Sequence, residues 1–212
     1  MSISTTKQIE VSTTSDVLGV KPVNQKKTAW EFTFKGSRIF ELNASEKGIT
    51  ASAISVPQQN VIGYNWAYIG QIEVDKTKPP LEIVKKQTDS RGTIYIAEYF
   101  GKEVYNTVST NQGYARGGHS HTYDVSFDMP IGSGLWRIFR EGKWISEPQK
   151  AGQEVSVKSG EAHYIVTLED TVFKERPINW NGGFNSTNHE SRDFVDRLND
   201  LQDELRKLAR KT

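Results

Sequence analysis

The chain of 212 residues contains no cysteine and carries a formal net charge of +1, with 25% of its residues charged. The absence of cysteine excludes disulfides and thiolate metal sites, and the balanced charge gives no electrostatic basis for binding nucleic acid or an acidic membrane. A chain of this length can bury a proper core in one large domain or two small ones.

The N-terminal residues 1–28 form the first region. They are rich in Ser, Thr, Lys and Gln with isolated apolar residues, so we expect a partly ordered arm. The arm lacks the apolar run of a signal peptide, and no segment approaches the length of a membrane span. We therefore expect a cytoplasmic protein with no membrane partner.

Alternating apolar residues begin an N-terminal β region that we assign to residues 29–78. Aromatic and polar side chains alternate over residues 30–34, a turn with glycine follows, and residues 39–42 return. This pattern is typical of a β-hairpin. Further strands are expected at residues 49–56 and 69–74, and the region is either a domain of its own or a set of strands that pairs with a neighbouring subunit.

Three aromatic residues alternate within residues 58–70, namely Tyr64, Trp66 and Tyr68. They either form a hydrophobic face that packs the N-terminal sheet onto the rest of the chain, or a platform for stacking a sugar or a base. The paired prolines at positions 79 and 80 follow, and proline cannot continue a strand ladder. We place the boundary of the N-terminal region there.

The second region, residues 79–180, opens with two expected strands at residues 81–86 and 93–100, joined by an Asp/Gly turn. Further along, His119 and His121 are two residues apart, so on a strand their imidazoles point to the same face. In a regular strand Tyr123, Val125 and Phe127 continue that face, which is the inside if the sheet closes into a barrel.

The segment from Gly117 to His163 holds three of the four histidines of the chain. After alternating apolar segments and a turn at Gly160, His163 begins another strand, close to where the first two histidines would lie. We therefore expect three imidazoles to converge inside the barrel, and we assign no role to His189.

The C-terminal residues 188–212 predict an amphipathic helix that starts near Ser191. Its apolar residues follow spacings of 4, 3, 4 and 3, the a/d pattern of a coiled coil, at Phe194, Leu198, Leu201, Leu205 and Leu208. A helix of this length is marginal alone, so it should pack either on a second copy of the chain or on the outside of the barrel. We favour self-association, and a homodimer as the simplest homo-oligomer.

Two glycine-histidine segments of the chain resemble the two motifs of the cupin superfamily. The motif residues present are Gly113, His119 and His121 in the first segment, and Gly152, Lys158 in place of proline, Gly160 and His163 in the second. The resemblance implies a mainly β fold, a cupin-type β-barrel (jelly roll), here with an N-terminal β extension and a C-terminal α-helix.

A narrower resemblance covers roughly residues 82–176. Asp89-Ser-Arg91-Gly92, an alternating strand and the run Arg116-Gly-Gly-His119-Ser-His121 are similar to the sugar-nucleotide branch of cupins, above all to the dTDP-4-keto-6-deoxyhexose 3,4-ketoisomerases and also to the 3,5-epimerases. The branch implies a nucleotide-sugar substrate and no cofactor. Arg91 or Arg116 would hold the diphosphate.

In this interpretation, which we favour, a histidine isomerises or epimerises a keto sugar as a general base. A group with a pKa near 6.5 can remove the acidic proton beside a ketone and return it to the neighbouring carbon. His119 or His121 would be the base. Tyr123 on the same face could hydrogen-bond the ketone or carry a proton.

Two alternatives remain open from the sequence. In one, His119, His121 and His163 hold a divalent Zn, Fe, Ni, Mn or Cu ion, since neutral imidazoles suit all of these metals. The glutamate usual in the first cupin motif is absent, because positions 125 and 126 hold Val and Ser, so a fourth ligand would be water or a residue outside the motif. In the other alternative, the barrel is a non-catalytic binding or structural module and the histidines are ordinary interior residues.

Overall fold

The computed structural model describes residues 18–45, 48–53, 64–65, 73–178 and 185–211. The expectations for residues 1–17, for the aromatic pair Trp66 and Tyr68 and for a strand over residues 69–72 lie outside these ranges. The N-terminal hairpin is present as expected and belongs to an antiparallel five-stranded sheet. Its strands, in spatial order, are β1 (Leu18–Pro22), β2 (Ala29–Phe34), β3 (Ser37–Ser45), β4 (Gly48–Ala53) and β5 (Tyr64–Asn65).

Two further antiparallel sheets and one helix follow. The strands of the second sheet, in chain order, are β6 (Glu82–Asp89), β7 (Gly92–Tyr99), β8 (Lys102–Thr110), β10 (Asp124–Ile131), β13 (Glu154–Val157) and β15 (Thr171–Ile178). Those of the third are β9 (Ala115–His121), β11 (Ser133–Arg140), β12 (Lys143–Lys150), β14 (Ala162–Thr167) and β16 (Ser186–Asn188). The helix is α1 (Ser191–Ala209). The spatial orders are β13-β10-β15-β8-β7-β6 and β12-β11-β14-β9-β16.

The second and third sheets face each other across one hydrophobic core. Phe127 and Phe173 from the second sheet pack against Trp136 from the third, with ring centroids 4.3 and 6.0 Å from the indole. Val108 and Ile165 join the same buried cluster, one from each sheet. The chain is therefore a mainly β protein with a jelly-roll-type β-barrel, an N-terminal β extension and a C-terminal helix, as the sequence predicts.

The N-terminal sheet packs on the outer face of the second sheet. Alternation along β7 sends Tyr95 and Tyr99 to this outer interface, while Ile94 contacts the barrel core. Phe32 stacks on Phe40 at 4.4 Å and meets the edge of Tyr95 at 6.3 Å. Hydrogen bonds tie the two sheets as well, because the Tyr95 hydroxyl donates to the Leu18 carbonyl at 3.0 Å.

One expectation about the histidine strand is wrong. Residues 119–127 do not form one regular strand, because β9 ends at His121, the chain bends, and β10 begins at Asp124 in the opposite sheet. Tyr123, Val125 and Phe127 are nevertheless buried. Both sheets line the same interior, so alternation continues inward on either side of the bend.

The helix begins at Ser191, where the sequence places its start, but its contact with the barrel uses an unexpected face. Ser191, Val195 and Asn199 are buried against the barrel, whereas Leu201 and Leu205 of the a/d pattern are half exposed. Across the ranges described, the structure contains no helix long and apolar enough to span a membrane.

Candidate functional site

Three histidines meet inside the barrel. β9 and β14 are antiparallel neighbours, and their register places His119 directly opposite His163. His121 follows two residues later on β9 and is buried together with His163. One ligand atom from each imidazole lies within 4.8 Å of the other two. The expected convergence of the three imidazoles is confirmed.

A β-bulge at two glycines turns the histidines inward. Tyr164 pairs with Gly117 while His163 pairs with His119, so Gly118 is an extra residue on β9. Strict alternation from the inward Arg116 would send residues 118 and 120 inside; the extra residue shifts the inward positions to 119 and 121.

Both bulge positions require glycine. Gly117 and Gly118 have φ of +99° and +83°, in the left-handed region. A Cβ at Gly117 would lie 2.7 Å from the His163 carbonyl oxygen, and one at Gly118 would lie 2.8 Å from the Cα of Arg192. Close approach of neighbouring backbone on both sides of β9 therefore explains why both positions are glycine.

Backbone carbonyls orient two of the imidazoles. His121 Nδ1 lies 3.2 Å from the Asn185 carbonyl oxygen, and His163 Nδ1 lies 3.1 Å from that of Glu161. A carbonyl only accepts, so in each neutral ring Nδ1 carries the proton and Nε2 has the lone pair. Both Nε2 atoms are buried and have no hydrogen-bond partner among the described residues.

Burial keeps two of the histidines neutral. Burial, followed by the charges of His119 and His121, lowers the pKa of His163 to about 3. Burial, followed by His121 and Arg192, lowers the pKa of His119 to about 4. At neutral pH both rings therefore present lone pairs rather than positive charge, which is the state in which histidine binds a metal.

A carboxylate absent from the motif lies beside the cluster. Glu175 on β15 places Oε1 3.5 Å from His121 Nε2, and this oxygen has no hydrogen-bond partner among the described residues. Asn106 on β8 donates to its other oxygen at 3.1 Å. Sequence reasoning missed Glu175 because it is more than fifty residues from His121 in the chain, on a strand of the opposite sheet. In the sequence Glu175 stands between Lys174 and Arg176, and only its spacing of two residues from the inward-facing Phe173 indicates that it faces the interior.

His119 and His163 border a cavity of about 290 Å³ that also carries positive charge, whereas His121 is not among its lining residues. Arg91 and Arg116, predicted as anion-binding residues, both line it, and so does Arg192 from the first turn of α1. Burial, followed by the charge of Arg91, lowers the pKa of Arg116 to about 10, so it stays protonated at neutral pH. Sequence reasoning missed Arg192, which the helix brings against Gly118.

One carboxylate partly balances these arginines. Asp89 accepts from Arg91 Nη2 at 2.5 Å and lies 3.6 Å from Arg116 Nη2. The two predicted arginines thus form one group around a shared acid, held 22% and 8% exposed at the edge of the cavity. Their guanidinium groups suit a phosphate or a carboxylate.

Other residues considered in the sequence lie outside this cavity. Tyr123 stacks on His121 with ring centroids 5.0 Å apart, and burial followed by the Glu175 charge raises its pKa, but it is not among the residues that line the cavity. Asp124 accepts from Lys158 Nζ and so points away. His189 lies at the start of α1, where its Nδ1 accepts from the Ser191 backbone N–H at 3.2 Å.

The three histidines fit a divalent metal ion. Three imidazole nitrogen donors, two of them buried without hydrogen-bond partners among the described residues and oriented by backbone carbonyls, match the donor set and the outer-sphere support of protein metal sites. Glu175 is the nearby carboxylate that could complete the set. Oxygen-only ions such as Mg²⁺ are disfavoured by a nitrogen-rich site.

Neither a protein-family model nor a curated protein matches the sequence. Among solved structures, the chain is similar to oxalate decarboxylase of Bacillus subtilis (19% identity over 51% of this chain and 32% of that one, TM-score 0.45). It is also similar to the capsular polysaccharide assembling protein CapF of Staphylococcus aureus (20%, 58% and 38%, 0.42) and to vicilin of hazelnut, Corylus avellana (15%, 52% and 37%, 0.44). The chain spans about a third of the length of these proteins. A likeness of this extent assigns no activity.

Proposed function

We propose that the chain is a metal-dependent enzyme in which His119, His121 and His163 hold a divalent ion and the cavity takes a small anionic substrate. The observation that carries this proposal is that the Nε2 atoms of His121 and His163 are buried without a hydrogen-bond partner among the described residues. A bound ion supplies Lewis-acid polarisation of a substrate oxygen.

The unpartnered nitrogens argue against a purely structural role. A buried polar atom without a hydrogen bond costs about 1–3 kcal/mol, so histidines kept only for packing should have acquired partners or been replaced by apolar residues. Here two of them are instead oriented toward one volume. That cost is offset when a ligand or ion occupies the volume between the rings.

The arginines define the substrate class. Arg91, Arg116 and Arg192 all line the cavity, while Asp89 and Glu175 are the acids nearby. Guanidinium groups around a small cavity favour a phosphate or carboxylate. A nucleotide sugar, the substrate that the sequence resemblance implies, would place its diphosphate at the arginines and its sugar next to the histidines.

A second candidate is metal-free isomerisation or epimerisation of a keto sugar by a histidine base. The supporting observation is the Glu175 carboxylate 3.5 Å from His121 Nε2, because a carboxylate stabilises the imidazolium formed when histidine removes a proton. His119 is a weak base with a pKa near 4, so this reaction would depend on His121, which does not line the cavity. We rank it second for that reason.

Metal analysis tests the first candidate. Untagged protein loaded with Zn, Fe, Ni, Mn or Cu and then freed of excess ion should retain about one ion per chain in elemental analysis. His163→Ala should lose most of it, because one of three nitrogen donors is removed. His189→Ala is the matched control and should retain the ion. Wild-type protein that keeps less than about a tenth of an ion per chain with every one of these metals would contradict the proposal.

Substrate exchange tests the second candidate. Incubation with a dTDP-4-keto-6-deoxyhexose in heavy water should introduce deuterium into the sugar if a histidine removes its carbon-bound proton. Chelator-treated protein should retain full exchange in the metal-free reaction and lose it in the metal-dependent one. Arg116→Gln should raise KM more than it lowers kcat, because it removes charge that binds the nucleotide. If none of the dTDP-4-keto-6-deoxyhexoses exchanges its proton, this candidate is wrong.

A further inference from the structure

Helix α1 has two separate faces. Val195 and Asn199 are buried on the barrel face. The second face, which we call the outer stripe, consists of Phe194, Leu198, Leu201, Leu205 and Leu208. Four of these residues are about half exposed or more, at 47% for Phe194, 50% for Leu201, 49% for Leu205 and 62% for Leu208. A helix already anchored by one face thus presents a second, coiled-coil face.

The charges beside the outer stripe alternate in sign. With Leu198 and Leu205 at a positions, the g positions within α1 are Arg197 and Glu204, and the same spacing reaches Glu190 and Lys211 just outside the helix. The e positions on the other side, Val195, Gln202 and Ala209, carry no charge. All the charge that could select a partner therefore lies on one edge of the stripe.

We propose that the outer stripe pairs with the outer stripe of a second copy of this chain, with the two helices antiparallel. In this register Leu198 packs against Leu201 of the second copy, and Phe194 packs against its Leu205. The two-fold axis then passes beside the middle of the helix, near residues 199 and 200. Both partners use the same surface, as a two-fold interface requires.

Charge complementarity selects this orientation. The register that aligns the leucines places Arg197 opposite Glu204 of the second copy. By the two-fold symmetry the reciprocal contact forms as well, so both g positions within α1 meet an opposite charge. In a parallel pair the g positions face e positions, where Arg197 would meet Gln202 and Glu204 would meet Ala209, with no ion pair.

A hollow beside the N-terminus of α1 fits the same register. Trp144, Tyr164 and Phe194 line an open depression of about 380 Å³ next to Ser191. Antiparallel pairing brings Leu208 of the second copy alongside Ser191, next to these rings. The most exposed leucine of the stripe thereby gains an aromatic contact. Since the barrel already holds α1 in its helical form, association does not have to order it.

Molar mass in solution gives the first test. By sedimentation equilibrium or light scattering, the full chain should have the mass of two chains, and Leu201→Glu should have the mass of one. Leu168→Glu changes a leucine that is 53% exposed outside α1 and should remain dimeric. Circular dichroism should be unchanged in both variants. A monomeric wild type, as expected if another molecule covers the stripe, or a dimeric Leu201→Glu variant, would overturn the proposal.

Charge reversal tests the register. Arg197→Glu and Glu204→Arg should each weaken dimerisation by about tenfold or more, because each places like charges opposite one another twice per dimer. The double variant restores opposite charges and should return close to the wild-type dissociation constant. The two positions are seven residues apart in one helix, too far for direct pairing, so rescue would report a contact between chains. A double variant as weak as the single variants would overturn the register.

Disulfide trapping tests the direction, and the absence of cysteine in the chain gives a clean background. Leu198→Cys chains mixed with Leu201→Cys chains should cross-link to each other on oxidation. Either variant alone should cross-link slowly, because in the antiparallel pair the two identical cysteines do not lie opposite each other. Rapid self-cross-linking of Leu198→Cys alone would indicate parallel helices and overturn the proposal.

Discussion

At the scale of single residues, the site depends on histidines that remain uncharged. His163 is 1% exposed, and its Nδ1 hydrogen bond to the Glu161 carbonyl leaves Nε2 to face its neighbours. Protonating either His163 or His119 would put a positive charge in a poorly hydrated space beside other imidazoles. Burial and mutual repulsion therefore act in the same direction, and both favour the neutral rings.

This neutrality predicts how stability depends on pH. The folded pKa values of His163 and His119 are lowered to about 3 and about 4, so between these values and about 6.5 the unfolded chain binds more protons. The stabilisation is thus complete above about pH 6.5 and is lost as the pH falls. For metal-free protein we expect the free energy of unfolding to drop by ~2 kcal/mol for each histidine between pH 7 and pH 5.

Urea denaturation at pH 7, 6 and 5 measures this effect. His163→Gln should reduce the pH-dependent drop by about half, whatever its effect on stability at pH 7, because one of the two titrating groups is gone. Stability that stays constant over this range in the wild type would show that the histidines are already protonated or are solvated in the folded state.

At the scale of elements, β9 organises the site through its bulge and its edge. The bulge at Gly117 and Gly118 directs Arg116, His119 and His121 to one interior. On the edge that faces away from β14, β16 pairs with His119 and the residues after it. The residues of β9 before His119 are covered by α1 on this edge instead. Docking of the helix and the geometry of the site are therefore linked.

Alanine at the bulge should cost more than alanine at an open glycine with the same backbone. Gly118→Ala and Gly160→Ala both place a side chain at φ near +80°, which costs about 1 kcal/mol each. Only the first also brings a Cβ within 2.8 Å of the Arg192 backbone, whereas Gly160 has open space around it. We expect Gly118→Ala to be less stable by an additional ~1–3 kcal/mol in urea denaturation. Equal effects of the two changes would mean that helix and strand separate readily.

Asn199 provides a second test at this scale, because its side chain replaces a β-strand partner. Its Oδ1 accepts from the Ala115 N–H at 2.8 Å, and its Nδ2 donates to the Ala115 carbonyl at 3.2 Å. Asn199→Ala should destabilise the protein by about 2 kcal/mol, since two buried backbone groups lose their partners. The exposed neighbour change Asp200→Ala is the control and should shift the urea midpoint little. A neutral Asn199→Ala would indicate that water reaches the edge of β9.

At the scale of the whole molecule, the N-terminal sheet and the barrel share a core. The cluster that contains Phe32, Phe40 and Leu42 also contains Tyr95 and Tyr99 from β7 and continues to Val172 on β15. Strand β7 thus contributes one face to this cluster and the other to the barrel interior. The two layers should therefore unfold together.

Phe32→Ala tests that cooperativity. Phe32 is fully buried and stacked on Phe40, so its truncation should cost about 3–5 kcal/mol. We expect one transition, at the same lowered midpoint by tryptophan fluorescence and by circular dichroism. Val23→Ala, at a residue that is 49% exposed, should change the midpoint little. Two transitions, of which only one shifts, would show that the N-terminal sheet unfolds independently.

The amino-acid sequence by itself determined the local periodic features. Alternation predicted the hairpin and the barrel strands, heptad spacing predicted α1 and its start at Ser191, and the histidine spacing predicted one interior cluster. These features can be read locally, because strand alternation and helical periodicity depend on residues only a few positions apart.

Only the tertiary structure decided the rest. It placed Glu175 beside His121 from a distant strand, and it turned His119 inward through an extra residue whose effect appears only in the register with β14. It also docked α1 by Val195 and Asn199 and left the leucine stripe at the surface. Each of these outcomes depends on which strands become neighbours and which faces they bury. Such long-range pairing is set by packing of the whole chain and leaves no periodic signal in any one segment.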